Sequence, residues 1–220
     1  MSRRVVNKTS RRRGFTLIEI VIAVTIFSVI MLGIMRCWKV IINGTQTGQA
    51  AAAAAQRART SMRAIEDSLS NAEVSKQNVR FLSFLADTEK GRFAKLSFSA
   101  RLPSTFLFAG YFGDNVLRRV IFEVQKGADD HANLVMTQYP ILAVIDDQNP
   151  PKSIVLAKDV SMFQLDFWSP KDNDWMTEFL PSNEVPPMIR VTLGVGHAAN
   201  DATVPYDVIS RVIAMPVKAH

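Results

Sequence analysis

The chain has 220 residues, 48% of them hydrophobic, enough apolar content for one medium domain with a sizeable core and too much for a disordered tail. Its formal charge of +6 invites a nucleic-acid reading, but Arg3, Arg4, Lys8, Arg11, Arg12 and Arg13 supply the whole excess before Gly14, and 20 basic residues face 20 acidic ones afterwards. No later stretch interleaves basic and aromatic residues as a base-stacking groove requires, so nucleic acid is excluded as a partner, and the single cysteine, Cys37, permits neither an intramolecular disulfide nor a thiolate metal cluster.

The first predicted element is the apolar run from Phe15 to Met35, FTLIEIVIAVTIFSVIMLGIM, in which Glu19 is the one ionisable side chain. As a helix rising about 1.5 Å per residue it spans about 30 Å, the thickness of a bilayer's hydrocarbon core. Six positive charges precede it and fewer follow, at Arg36 and Lys39, so the N-terminus is expected to stay cytoplasmic and the body to be exported. A secretory signal peptide has a shorter apolar region ending in small residues, whereas this run ends in Met35-Arg36-Cys37-Trp38. Arg36 before Cys37 also departs from a lipoprotein signal, which places small residues there.

Beyond the run, the alanines from Ala50 to Ala55 favour helix, and Ala58, Met62, Ile65 and Leu69 recur at spacings of four, three and four, one apolar stripe. The pattern predicts a long helix from about Phe15 to about Ser70, interrupted or bent near Gly44 and Gly48, whose second half packs against a head. The rest reads as strands, RFLSFL, FAKLSFSA, VLRRVIFEV, NLVMTQY, SIVLA, MFQLDFW, MIRVTLGV and VISRVIAMPV, with Pro150-Pro151, Pro181 and Pro186-Pro187 in the connections. Every second residue is apolar in Phe163, Leu165, Phe167 and in Ile189, Val191, Leu193, Val195, as a sheet with one buried face requires. A helix followed by many strands implies an α+β fold in which an antiparallel β-sheet head covers the helix's apolar stripe.

Arg13-Gly14-Phe15-Thr16-Leu17-Ile18-Glu19 resembles the prepilin cleavage and methylation motif, and with it the fold is expected to be type IV pilin-like. The resemblance implies that a prepilin peptidase/N-methyltransferase, embedded in the membrane, cuts between Gly14 and Phe15 and then N-methylates Phe15. A glycine before the cut leaves the backbone open to a protease cleft, and cutting ahead of the apolar run keeps the anchor attached. Cleavage would also give Phe15 a positive amine, a partner for the desolvated Glu19 carboxylate in the same chain or a neighbour, so Glu19 is expected to be a docking group for assembly. The expected organisation is a cleaved basic leader over 1–14, a transmembrane and assembly helix over 15–36, its continuation over 37–70 and the head over 71–220. The chain would be single-pass in inner-membrane lipid of a bacterium, with the head in the periplasm.

From Leu156 to Val217 the head is similar to the J-class minor pseudopilins of type II secretion, in LAKDVSMFQLDFW, a following Trp175, Leu180-Pro181, PMIRVTL and a closing RVIAMP. A looser likeness covers VLRRVIFEV and NLVMTQYPIL. It implies a non-catalytic subunit near the tip of a pseudopilus, with the I, K and H classes of minor pseudopilin as partners. A minor pilin of a type IV pilus is the runner-up; fibre-forming pilins usually close a C-terminal loop with a disulfide, which the lone Cys37 cannot do.

An anchored periplasmic enzyme is the competing class. His131, His197 and His220 have no ligand-like neighbours at useful spacing, and neither HExxH nor GxSxG occurs, so no catalytic residue, metal site or cofactor is assigned. Asp172-Asn173-Asp174 has the oxygen-rich look of a calcium loop but is too short for an EF-hand and is expected to be a strand-connecting turn, like Asp129-Asp130 and Asp146-Asp147. Sheet edges and the helix surface around Ala50 to Ala58 are the expected contact regions of the head.

Overall fold

A computed structural model describes residues 16–74, 79–88, 91–128, 130–141, 150–178, 186–196, 205 and 207–216. Helix α1 runs Leu17–Ser70, and the chain divides into two compact units, Met1–Ala50 and Ala51–His220. In the first unit the described residues are helical from Leu17 onward, and the large apolar side chains from Leu17 to Ile42 are exposed.

Of the two forms the sequence allowed near Gly44 and Gly48, interrupted or bent, the interruption does not occur. Each glycine costs about 1 kcal/mol relative to alanine, whereas nucleation is the expensive step, so a helix already propagating runs through both. Between them the Thr45 hydroxyl donates to the carbonyls of Ile42 at 2.8 Å and Ile41 at 3.1 Å, within the helix itself.

In the second unit the apolar stripe lies where its spacing placed it: Ala58, Met62, Ile65 and Leu69 are each 0% exposed. Ser61 and Ser68 are buried beside them, and their hydroxyls are satisfied by the carbonyls of Arg57 at 2.8 Å and Ile65 at 2.9 Å. The end of α1 is tied to the sheet by backbone bonds from Glu73 to the Ser99 carbonyl, 2.7 Å, and from Arg101 to the Asn71 carbonyl, 2.9 Å.

Among the described residues the strands form two antiparallel sheets, not the single sheet expected. The first is a meander of β1 Leu85–Asp87, β2 Lys95–Arg101, β3 Leu117–Lys126, β4 Ala132–Pro140 and β5 Lys152–Ala157. The second contains β6 Val160–Ser169, β7 Asp174–Met176, β8 Met188–Val195 and β9 Asp207–Ala214 in the order β7-β6-β8-β9. The sheets part between β5 and β6, where Asp159 has φ 55° and redirects the chain out of the first ladder. They are stitched together by Phe163, whose carbonyl accepts from Ala94 N and whose amide donates to the Arg92 carbonyl, both at 2.8 Å.

RFLSFL is a second departure from expectation: its first part belongs to α2, Val79–Leu82, and only Leu85 enters a strand. Polar side chains capture the backbone there, since Ser99 Oγ donates to the Phe81 carbonyl at 2.6 Å and Arg119 Nη1 to the Ser83 carbonyl at 2.9 Å. A one-turn helix α3, Ala109–Phe112, and the short β7 were likewise unforeseen.

One core takes the inner faces of both sheets together with the α1 stripe. Leu96, Phe98, Val120, Phe122, Leu134 and Met136 come from the first sheet, and Phe163, Leu165, Phe167, Ile189, Val191 and Leu193 from the second. Phe84 joins them, its ring 6.1 Å from Phe98 and 6.5 Å edge-on from Phe167.

Candidate functional site

Glu19 lies in the first turn of α1, and its first partner is Thr16. The Thr16 amide and hydroxyl each donate to Glu19 Oε2 at 3.0 Å, and the Glu19 amide donates to Thr16 Oγ1 at 3.4 Å. With α1 beginning at Leu17, Thr16 is the N-cap and Glu19 stands three residues on, the reciprocal arrangement of a capping box. The T-x-x-E spacing was the available signal for it, and the sequence reading missed it. The expected cleavage pair, Gly14 and Phe15, lies outside the described residues.

From Leu17 to Thr45 the helix is long and apolar enough to cross a membrane, and the side chains from Thr16 to Thr45 are exposed. Such a surface is suited to hydrocarbon, and its hydroxyls are not left unsatisfied: Thr25 Oγ1 donates to the Val21 carbonyl at 2.7 Å and Ser28 Oγ to the Val24 carbonyl at 2.8 Å. This stretch covers the part of the expected span from Leu17 to Met35 and continues through Arg36 and Lys39.

On the head, Asp172-Asn173-Asp174 joins β6 to β7 as a turn. Ser169 Oγ donates to Asp172 Oδ2 at 2.6 Å, Trp175 N donates to Asp174 Oδ1 at 2.7 Å, and Asn173 takes the left-handed φ of 52°. The hairpin carries Trp168 edge-on to Trp175 at 5.4 Å, with the Arg190 guanidinium 4.0 Å above the Trp175 ring and 3.5 Å from Asp166. His131 sits at the surface 3.2 Å from Asp159, and Asp130 occupies a turn with φ 65° paired to Lys126. His197, His220, Asp129, Asp146 and Asp147 lie outside the described residues. Among the described residues no three His, Cys, Asp or Glu side chains come together as metal ligands.

Arg118 was not foreseen. Alternation along β3 turns it inward with Val120 and Phe122, and it is 1% exposed with no acid among its hydrogen-bond partners. It donates to Gln138 Oε1 at 2.9 Å and to the carbonyls of Leu107 and Leu102, each at 3.4 Å, and stands 5.1 Å from the Phe112 ring. Burial pulls its guanidinium below the ordinary arginine value. Desolvation does the same to Arg119, partly offset by Tyr139. Both act on packing: they hold the segments before β1 and between β2 and β3 against the first sheet.

Residues 9–35 match the prokaryotic N-terminal methylation motif, the prepilin signal of type IV pilin-like proteins. That motif indicates a type IV pilin-like or pseudopilin protein and implies processing by a prepilin peptidase and association with pilin-like proteins. The long apolar helix followed by antiparallel sheets is consistent with an α+β pilin-like fold, and the helix fits a single-pass membrane anchor. No curated protein matches the chain.

Proposed function

We propose that the chain is a prepilin-like precursor, cut between Gly14 and Phe15 and N-methylated on Phe15, which is then held in the inner membrane by the helix from Phe15 to Met35 until it enters a type II secretion pseudopilus. The observation that carries this reading is the methylation motif over residues 9–35 leading into an exposed apolar helix. The leader is 1–14, the membrane and assembly helix 15–36, its continuation 37–70 and the head 71–220, with the N-terminus cytoplasmic and the head periplasmic. The strand sequences from Leu156 to Val217 favour the J class of minor pseudopilin, near the tip beside the I, K and H classes.

Glu19 is the assembly group. Its carboxylate caps the helix through Thr16 and pairs, once the leader is gone, with the Phe15 amine of its own or a neighbouring chain. Mass spectrometry of the mature N-terminus in its own cells tests the reading: methylated Phe15 as first residue is expected, and an intact Met1 or a cut beyond Met35 overturns it. Deletion distinguishes the machines, since loss of protein secretion is expected here, and loss of twitching or DNA uptake marks a type IV pilus subunit.

A further inference from the structure

Over the turns from Ala51 to Ile65 the exposed face of α1 is basic, and Glu66 and Asp67 follow it. Arg57, Arg59 and Arg63 are exposed, no acid stands between Ala51 and Ile65, and Ala52, Gln56, Arg59 and Arg63 repeat at the 4-3-4 spacing of the buried stripe on the opposite side. The β6–β7 hairpin presents the opposite sign, with Asp172, Asp174 and Glu178 exposed against Lys171. Among the described residues, the ion pairs of the head are Lys95–Glu123, Arg101–Glu73, Lys126–Asp130, His131–Asp159, Arg190–Asp166 and Arg211–Glu66, and none uses these six side chains.

We infer that the arginine face of α1 in one copy docks on the acidic β6–β7 hairpin of a second copy. The two surfaces are complementary in charge, and each is set on a fixed element. Arg57 Nε is held to the Ala53 carbonyl at 3.1 Å, and the hairpin is braced by its turn bonds and by the Trp168–Trp175 contact. The small side chains at Ala52 and Ala53 let a hairpin approach the helix closely. Because the two patches differ, the contact is heterologous: each copy keeps one patch open for a further subunit, as an assembling subunit requires. The inference rests on the reading of the chain as a subunit that joins pilin-like chains, and not on the class or machine.

The test is sedimentation of the detergent-solubilised full chain. Concentration-dependent association that weakens with added salt is expected. Either Arg59→Glu with Arg63→Glu, or Asp172→Lys with Glu178→Lys, is expected to weaken it about tenfold or more, while an equimolar mixture of the two variants recovers it. A single chain carrying all four reversals also recovers association, which controls for misfolding. Unchanged association in either double variant, no recovery on mixing, or a native chain that stays monomeric overturns the proposal. The mature N-terminus is measured separately, so failure here leaves the prepilin reading standing and is told apart from failure of that reading.

Discussion

At the scale of single residues, the least expected side chain is Arg118, a charge in the core held by carbonyls and an amide. Arg118→Ala would leave Gln138 Oε1 and the Leu102 carbonyl short of a donor around a cavity, while the Leu107 carbonyl keeps Gln138 Nε2, at a cost of about 3 kcal/mol or more. A fall in melting temperature of roughly 6–12 °C follows for a domain of this size, and calorimetry of the variant checks it. A lowered basic pKa in the folded state penalises the charged form until pH rises past that value, so this group adds no pH dependence to stability through the neutral range. The strand's alternation already placed position 118 inward with Val120 and Phe122. What stayed illegible was how a guanidinium could be held there, because its acceptors are a glutamine side chain of β4 and carbonyls of the loop after β2, which carries no periodic signal. Glu19 shows the reverse case: its oddity is plain in the sequence, and the structure adds the Thr16 cap. Glu19→Ala is expected to leave cleavage largely intact and to weaken incorporation into the assembled fibre. Thr16→Val costs only about 1 kcal/mol of helix capping and keeps the carboxylate, so it should incorporate better than Glu19→Ala. Fractionation of assembled from membrane-held subunits compares the two, and equal defects would reduce Glu19 to a capping role.

Elements were legible where a single face is buried. The α1 stripe and the alternation in β6 and β8 predicted buried positions correctly, because each pattern needs only one partner surface. Two features escaped. The partition into two sheets depends on which strands pair, and alternation is identical whether β6 joins β5 or β8; the Asp159 turn decides it. The glycines of α1 escaped in the other direction, since local propensity allowed a break that helix propagation overrides. An added Cβ at Gly44 or Gly48 meets nothing within 4 Å, so Gly44→Ala and Gly48→Ala are each expected to stabilise the helix by about 1 kcal/mol. Higher helical circular dichroism near the melting transition is the readout. Gly194 in β8 is the contrast: a Cβ there would stand 2.9 Å from the Pro205 Cβ, 3.1 Å from Ser161 Oγ and 3.2 Å from the Met162 Cβ. Gly194→Ala should therefore destabilise the head by about 1–3 kcal/mol, as overpacking does, and urea titration of the full chain reads it.

For the whole molecule, the division at Ala50 separates a surface made for lipid from a core made for water. The buried core begins at Ala58, and large apolar side chains from Leu17 to Ile42 are exposed, so the burial needed for folding lies in the second unit. A chain starting at Ala51 is accordingly expected to be soluble without detergent and to melt cooperatively. The helical turns up to Ile65 are nevertheless part of that core. A chain starting at Glu66 loses Ala58, Met62 and Ile65, each 0% exposed in the intact protein. Burial of Met62 and Ile65 is worth about 1.5–3 kcal/mol apiece, before any cavity term. The sum approaches the 5–15 kcal/mol or so that holds a typical domain together. The shorter chain should therefore bind hydrophobic dye and lose its sharp thermal transition, whereas the chain from Ala51 keeps it. Equal melting temperatures for the two would mean that the stripe is covered without being needed, and that the continuation of α1 belongs to assembly and not to the fold of the head.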